Sequence, residues 1–452
     1  MTIPPFCGLA VLSPSAVLQS VRQVPFVSET VDPRPKAERA FLVSIEFEDI
    51  KKEEAASLLR ELGGLAKTLG LEVVGSLPVK LRERTGSLLV GTGKADEIVA
   101  AAKAENADSI VFDHQLSPLQ QRNWEELSGL KVYDRAELII KIFSSRALTR
   151  EAGLQVELAR LEYSLPRLTH SYGALSRQRG GRYGTKGSGE QKLELDRRKI
   201  EFRIHEIKEE MKDVHKSRDV QRKKRERIQV PRAAIVGYTN TGKSSLLNAL
   251  TEAQVLAEDK LFATLDPTTR RLILRSGASL LVTDTVGFVR NLPHNLVEAF
   301  KATLEEASGA DLLIHVADAS DPEVESRMAT TDTVLSEIGA GSLPRILVLN
   351  KVDIADSGTV DTWLRLHPEG LPISVKTGQG IDGLTVLIEK TLTSGMEELI
   401  LAIPHAEYAL VPFIRREGSV ISEEAKDEYT ILRCRIPERL MERMAKYKIP
   451  GA

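Results

Sequence analysis

Cysteine is nearly missing from this chain. Only Cys7 and Cys434 occur in 452 residues, far apart and in no metal-ligand or redox spacing. That argues against a disulfide framework and for a reducing compartment, the cytoplasm. Long apolar runs are missing as well, so no membrane span is expected. The N-terminus has no basic stretch followed by an apolar one, so no signal peptide is expected either. A charge excess of one sign is also lacking: 62 Lys and Arg stand against 64 Asp and Glu, for a net charge of −2. The molecule as a whole is therefore not an electrostatic nucleic-acid binder, and any basic surface must be local. What remains, 42% hydrophobic and 28% charged, is ordinary for a soluble globular chain, and the length allows two to four domains.

The most informative stretch is Gly237-Tyr238-Thr239-Asn240-Thr241-Gly242-Lys243-Ser244. It follows the apolar run Ala233 to Val236, which reads as a strand, and precedes Ser245 to Leu250, which reads as a helix start. Strand, Gly-x-x-x-x-Gly-Lys-Ser and helix is the phosphate-binding loop in its structural context. Glycines let backbone N–H groups turn toward phosphate oxygens, and the helix N-terminus adds positive potential. Lys243 would reach the β- and γ-phosphates, and Ser244 would offer its hydroxyl to Mg²⁺. A chance glycine turn is the bland alternative, but three further nucleotide elements follow in order.

Asn350-Lys351-Val352-Asp353 follows the apolar strand Arg345 to Leu349. A carboxylate there accepts from the ring N–H and the exocyclic amine of guanine, a donor pair adenine lacks, so Asp353 selects guanine. Lys351 would lay its stem on the base and Asn350 would brace the loop. Ser374-Val375-Lys376 would close the base from the other side. Asp284-Thr285-Val286-Gly287 follows the strand Leu280 to Val282. Asp284 would hold Mg²⁺ through water, and the Gly287 N–H would meet the γ-phosphate. Between loop and motif lies Leu261-Phe262-Ala263-Thr264-Leu265-Asp266-Pro267-Thr268-Thr269. One threonine there should close on Mg²⁺; Thr264 is preferred, with Thr268 and Thr269 as alternatives. These two loops form an order–disorder switch. Lys243, Thr264 and Gly287 are the catalytic candidates. Phe288 stands where many small GTPases carry a water-positioning glutamine, so hydrolysis should be slow alone and faster with a partner. Asn240 either helps hold a potassium ion or only satisfies loop backbone.

The remaining chain divides around this domain. Residues 1–40 read as a flexible arm. Residues 41–145 alternate strands (Phe41–Ile45, Glu72–Val74, Leu88–Val90, Ser109–Phe112, Val132–Tyr133) with helices, as in a small α/β domain with a mostly parallel sheet. Gly91-Thr92-Gly93-Lys94 within it looks like a second phosphate loop, but Leu88 and Ala95 replace the first glycine and the metal-binding hydroxyl; a tight turn is the better reading. In residues 146–228, Leu154, Leu158, Leu161 and Leu165, then Leu193, Ile200, Ile204, Ile207, Met211 and Val214, suggest an antiparallel helical hairpin. Its loop, 173–189, has six glycines, four basic residues and no acidic one. Arg177, Arg179, Arg182 and Lys186, beside tyrosines on a glycine backbone, suit RNA phosphates and bases better than a plain linker would. The basic run Lys216 to Arg227 reads equally as a solvated helix end or a second nucleic-acid patch. Residues 229–395 form a doubly wound, mostly parallel P-loop domain. Residues 396–452 read as a small α+β unit, with strands at Tyr408–Val411 and Tyr429–Cys434 and a helix from Glu438.

The phosphate loop, Leu261 to Pro267, Asp284 to Phe288, and Asn350 to Asp353 together resemble the HflX GTPases of the translation-factor-related class, over about residues 40–395. Thr241 and Val375 depart from that pattern, where alanine is usual. The resemblance implies a GTPase using GTP and Mg²⁺ that binds the large ribosomal subunit and its rRNA as a monomer. It further implies splitting of stalled or idle ribosomes, with the glycine-rich hairpin reaching toward the peptidyl-transferase centre. A GTP-gated RNA chaperone or subunit-assembly factor is the alternative. A signalling GTPase acting on proteins alone would have no need of the basic loop.

Overall fold

The computed structural model describes residues 37–47, 52–81, 86–171, 188–226, 230–251, 261–290, 306–394, 396–437 and 440–449. The expected flexible arm up to residue 36, and Arg177, Arg179, Arg182 and Lys186 of the basic loop, lie outside the described residues.

The first domain is a parallel four-stranded sheet in the order β2-β1-β3-β4. Its strands are β1 (Arg39–Phe47), β2 (Glu72–Leu81), β3 (Ser109–Phe112) and β4 (Lys131–Asp134). The helices between them are α1 (Lys52–Thr68), α2 (Thr92–Ala104) and α3 (Pro118–Ser128), with α4 (Arg135–Arg146) after β4. Ser117 starts α3 with a capping box to Gln120, and Pro118 supplies the first helical φ. Leu88–Val90 is not the expected strand. Leu89 sits at φ 67°, and the Leu88 carbonyl accepts from the Trp124 indole at 2.9 Å. Leu89 and Val90 are nonetheless buried, so the apolar run packs as a turn under α3.

The hairpin follows as α5 (Arg150–Ser171) and the 39-residue α6 (Ser188–Glu226). Leu154, Leu158 and Ile207 form their shared core, flanked by Leu161, Ile204 and Met211. Arg150–Glu210 and Arg203–Glu157 ion pairs fix the antiparallel register. Arg167 of α5 ties the arm to the first domain, donating to the Leu116 carbonyl at 2.8 Å and to Gln121 at 2.7 Å.

The third domain has a six-stranded sheet in the order β10-β9-β8-β5-β7-β6. Its strands are β5 (Arg232–Val236), β6 (Thr268–Ile273), β7 (Ser279–Asp284), β8 (Leu312–Asp318), β9 (Arg345–Asn350) and β10 (Leu371–Pro372). All neighbours are parallel except β6, which pairs antiparallel with β7 at the edge. Edge position explains why Arg270, Arg271 and Ile273 are exposed. The order reverses at β5, so the loop leaving it sits at the topological switch point where α/β sheets bind ligands. One apolar cluster runs unbroken from Leu42, Leu62 and Phe143 of the first domain into Val236, Phe262 and Phe288 of the third.

The last unit is a three-stranded antiparallel sheet of β11 (Met396–Pro404), β13 (Tyr429–Pro437) and β12 (Ser419–Ala425). Tyr408–Val411, expected as a strand, instead leads into a helix, Leu410–Glu417. Val411 and Ile414 of that helix bury one face against the sheet.

Candidate nucleotide site

Parallel register sets the site. Ile235, one residue from the end of β5, lies beside Asp284 on one neighbour and Ile314 on the other. The loop after β5 therefore opens next to Asp284, and α7 (Lys243–Thr251) starts from its far end. Gly242, at φ +93°, is obligatory: a Cβ there would stand 2.4 Å from Nδ2 of Asn350. Lys243 is buried, and its Nζ donates to the Tyr238 carbonyl at 2.6 Å. Burial pushes the Lys243 pKa down to about 8, against the pull of Asp284. Burial also raises the Asp284 carboxyl, although Lys243 and the hydroxyls of Ser244 and Thr264 favour its charge. The Thr239 hydroxyl, buried on the same pocket wall, has no partner. A pocket holding a desolvated ammonium and an orphan hydroxyl suits an anion.

Ser244, Thr264 and Asp284 converge. Ser244 Oγ donates to Asp284 Oδ2 at 2.6 Å, Thr264 Oγ1 donates to the same oxygen at 2.9 Å, and the two hydroxyls are 2.7 Å apart. Asp284 Oδ1 is buried without a partner. Three hard oxygen groups, one an under-satisfied carboxylate, fit Mg²⁺. Of the alternatives, Thr268 and Thr269 lie on β6, and Thr269 bonds Thr283 at 2.9 Å instead. Gly287 packs so closely on the loop that a Cβ would meet Thr239 Cα at 2.8 Å and Lys243 Nζ at 2.9 Å. Phe288 is buried, its N–H donating to the Gly237 carbonyl and its carbonyl accepting from Thr239 N–H. Its ring belongs to the core and plays no part in placing water.

The base side is built from β9 onward. Asn350 is a double brace: Nδ2 donates to the Thr241 carbonyl at 2.8 Å, and Oδ1 accepts from Val375 N–H at 3.1 Å. Asp353 accepts from Ser374 Oγ at 2.7 Å, which aims the carboxylate. Lys351, at φ 67°, pairs with Asp318 at 2.7 Å. Asn350, Lys351, Asp353, Val375 and Lys376 line a cleft of about 640 Å³ that continues past Asn240 and Gly242 toward the phosphate loop.

Several expected nucleotide contacts face elsewhere. Thr285 is fully buried, its hydroxyl on the Ile235 carbonyl. Leu265 and Val286 are core residues, and the Val352 N–H holds the Ile373 carbonyl. Asp266 turns away from the pocket to accept from Leu148 N–H, Thr149 N–H and the Thr149 hydroxyl. Tyr238 offers the site only its carbonyl. Its ring is buried toward the first domain, with the hydroxyl donating to Glu61 and accepting from Arg290 N–H at 2.9 Å. Glu61 also pairs with Arg135, which reaches Asp113 at 2.8 Å and the Arg290 carbonyl at 3.0 Å. Nothing in the motifs signals this network, because its members lie far apart in sequence.

Residues 56–144 match the family described as GTP-binding GTPase N-terminal, 146–225 the GTP-binding GTPase Middle Region, and 232–351 the 50S ribosome-binding GTPase. The GTPase HflX of Akkermansia muciniphila is 47% identical over 412 residues, 88% of this chain and 94% of that protein. The GTPase HflX of Escherichia coli is 42% identical over 372 residues, 82% of this chain and 86% of that one. A solved GTP-binding protein from Sulfolobus solfataricus, in complex with GDP, aligns at 24% identity over 79% of this chain and 99% of its own, with a TM-score of 0.44.

Proposed function

Since the chain belongs to the HflX family of GTPases and hydrolyses GTP, we propose that it works as a ribosome-bound factor that splits stalled or idle ribosomes. With GTP bound, Thr264 and Gly287 would close around the γ-phosphate, Lys243 would meet its oxygens and Asp353 would select guanine. Ser244, Thr264 and Asp284 are the residues that would hold Mg²⁺. A bound Mg²⁺ supplies charge neutralisation at the β- and γ-phosphate oxygens. The ordered form docks on the large subunit, in the cytoplasm and as a monomer. The basic loop then enters rRNA through Arg177, Arg179, Arg182 and Lys186. Hydrolysis, slow alone and stimulated by the ribosome, releases the factor. Asn240, in left-handed backbone at φ 61° on the pocket wall, either helps hold a potassium ion or only satisfies the loop backbone.

The convergence of Ser244, Thr264 and Asp284 at the pocket that Gly287 also lines supports the GTP and Mg²⁺ part of this reading, and the match to the family's N-terminal, middle and 50S ribosome-binding regions supports the ribosomal part. Density-gradient profiles of intact ribosomes, with the protein and a non-hydrolysable GTP analogue, provide the test. Conversion to subunits with the analogue and not with GDP is expected. Neutralising the four basic loop residues should weaken binding and flatten its salt dependence. Binding without splitting would favour an assembly or quality-control role. Loss of turnover on replacing potassium by sodium would support the potassium assignment, and equal rates would remove it.

A further inference from the structure

Thr264 sits on a segment held in place from outside the nucleotide domain. At its start, Leu261 N–H donates to Thr68 Oγ1 of α1 at 3.3 Å. Next, the Phe262 ring meets Phe143 of α4 edge-on, centroids 4.6 Å apart. Two residues past Thr264, Asp266 takes three hydrogen bonds from the start of the helical arm. Oδ2 accepts Leu148 N–H at 2.9 Å and Thr149 N–H at 3.2 Å, and Oδ1 accepts the Thr149 hydroxyl at 2.5 Å. Thr149 Oγ1 in turn accepts from Ala152 N–H at 3.2 Å, so the same hydroxyl caps α5.

We propose that Asp266 is a positioning residue for GTP hydrolysis: by gripping Thr149 at the root of the arm it holds Thr264 over Ser244 and Asp284. The inference rests on the metal-binding role given to Thr264. The bonds are charge-assisted, and the single residue between Asp266 and Thr264 is Leu265, fixed in the core, so a shift of Asp266 is passed to Thr264 with little slack. The coupling is reciprocal. Ligands that order Thr264 stiffen the arm's root, and partners that dock the arm favour the closed loop.

The test uses the full chain with Thr149→Val and Asp266→Ala, singly and together, and Thr149→Ser as the conservative control. Affinities for GDP and for a non-hydrolysable GTP analogue are measured with Mg²⁺, alongside kcat and melting temperature. Thr149→Val, which removes only the hydroxyl bond, should lose up to about tenfold in analogue affinity and kcat, the size of one charge-assisted bond, and Asp266→Ala, which removes all three, at least as much. The double variant should lose no more than Asp266→Ala alone, Thr149→Ser should restore the original values, and GDP affinity should hold; Thr149→Val also removes the α5 cap, so its melting temperature falls whatever happens to turnover. Equal losses for GDP and analogue, or additive singles, would show a merely structural contact and overturn the proposal. Thr264→Ala separates the two levels. If it abolishes turnover while Asp266→Ala has no effect, the positioning role fails alone. If Thr264→Ala itself has no effect, the metal assignment beneath it fails.

Discussion

Replacing Arg135 by methionine should strip the counter-charge from a buried carboxylate pair. Arg135 is 2% exposed; its partners Glu61 and Asp113 have side chains 4% and 8% exposed. Asp113 already sits above the usual carboxylate range because burial outweighs the attraction of Arg135. Without the guanidinium, each carboxylate must stay charged in a dry site or take up a proton. Taking up a proton at pH 7, from an ordinary pKa near 4, costs about 4 kcal/mol per carboxylate, which caps the penalty. The Tyr238 hydroxyl still donates to Glu61, so that partner keeps part of its support. A net loss of about 3–5 kcal/mol is expected, the range seen when one member of a buried ion pair is removed. Because proton uptake sets the cap, the loss should shrink by about 1.4 kcal/mol per pH unit as pH falls toward 5. Adding Asp113→Asn to Arg135→Met should recover part of it at pH 7 and remove part of the pH slope. Urea unfolding at several pH values measures all of this. A pH-independent loss below about 1 kcal/mol would refute the reasoning, since pairs exposed to water are worth that little.

Asp353→Asn should cut GTP and GDP affinity by about 2–3 kcal/mol by losing charge-assisted acceptance of the guanine edge, read by titration calorimetry. Gly287→Ala should suppress turnover and also weaken GDP binding, because its methyl meets Thr239 Cα at 2.8 Å and Lys243 Nζ, which would serve the β-phosphate, at 2.9 Å. Steady-state kinetics beside GDP titration checks this, and unchanged kcat would contradict it. Burial, reinforced by Arg345 and opposed by Asp332, lowers the His315 pKa to about 4. The unfolded chain then holds the proton more tightly, so this group costs stability as pH falls from about 6.5 to 4, by about 1.4 kcal/mol per unit. His315→Leu should be less acid-sensitive than the parent by that slope in parallel unfolding curves, and identical slopes would contradict it.

The nucleotide machinery was legible because its parts are short, contiguous and follow strands. Gly237 to Ser244, Asp284 to Gly287 and Asn350 to Asp353 each place several chemical groups within one loop, and parallel register does the rest. The choice of Thr264 over Thr268 and Thr269 needed coordinates, since only the hairpin of β6 and β7 shows that the latter two belong to a strand. Asp266 read as a nucleotide residue because of where it lies in the motif. Its partner Thr149 is 117 residues away, a distance no local pattern spans. The same holds for Tyr238 and Glu61, 177 residues apart. Misread elements were short apolar runs. Leu88–Val90 and Tyr408–Val411 are each compatible with strand, turn or helix, and tertiary burial decides among them. In the second case Val411 and Ile414, three apart, carried a helical signal that extended past the run considered.

The most direct measurement is GTP turnover in potassium buffer with and without purified large ribosomal subunits. The proposed function requires slow hydrolysis alone, because Phe288 lies in the core and offers water no hydrogen bond, and strong stimulation when the subunit is added. Equal rates in both would contradict a ribosome-bound GTPase and direct the search to a protein activator.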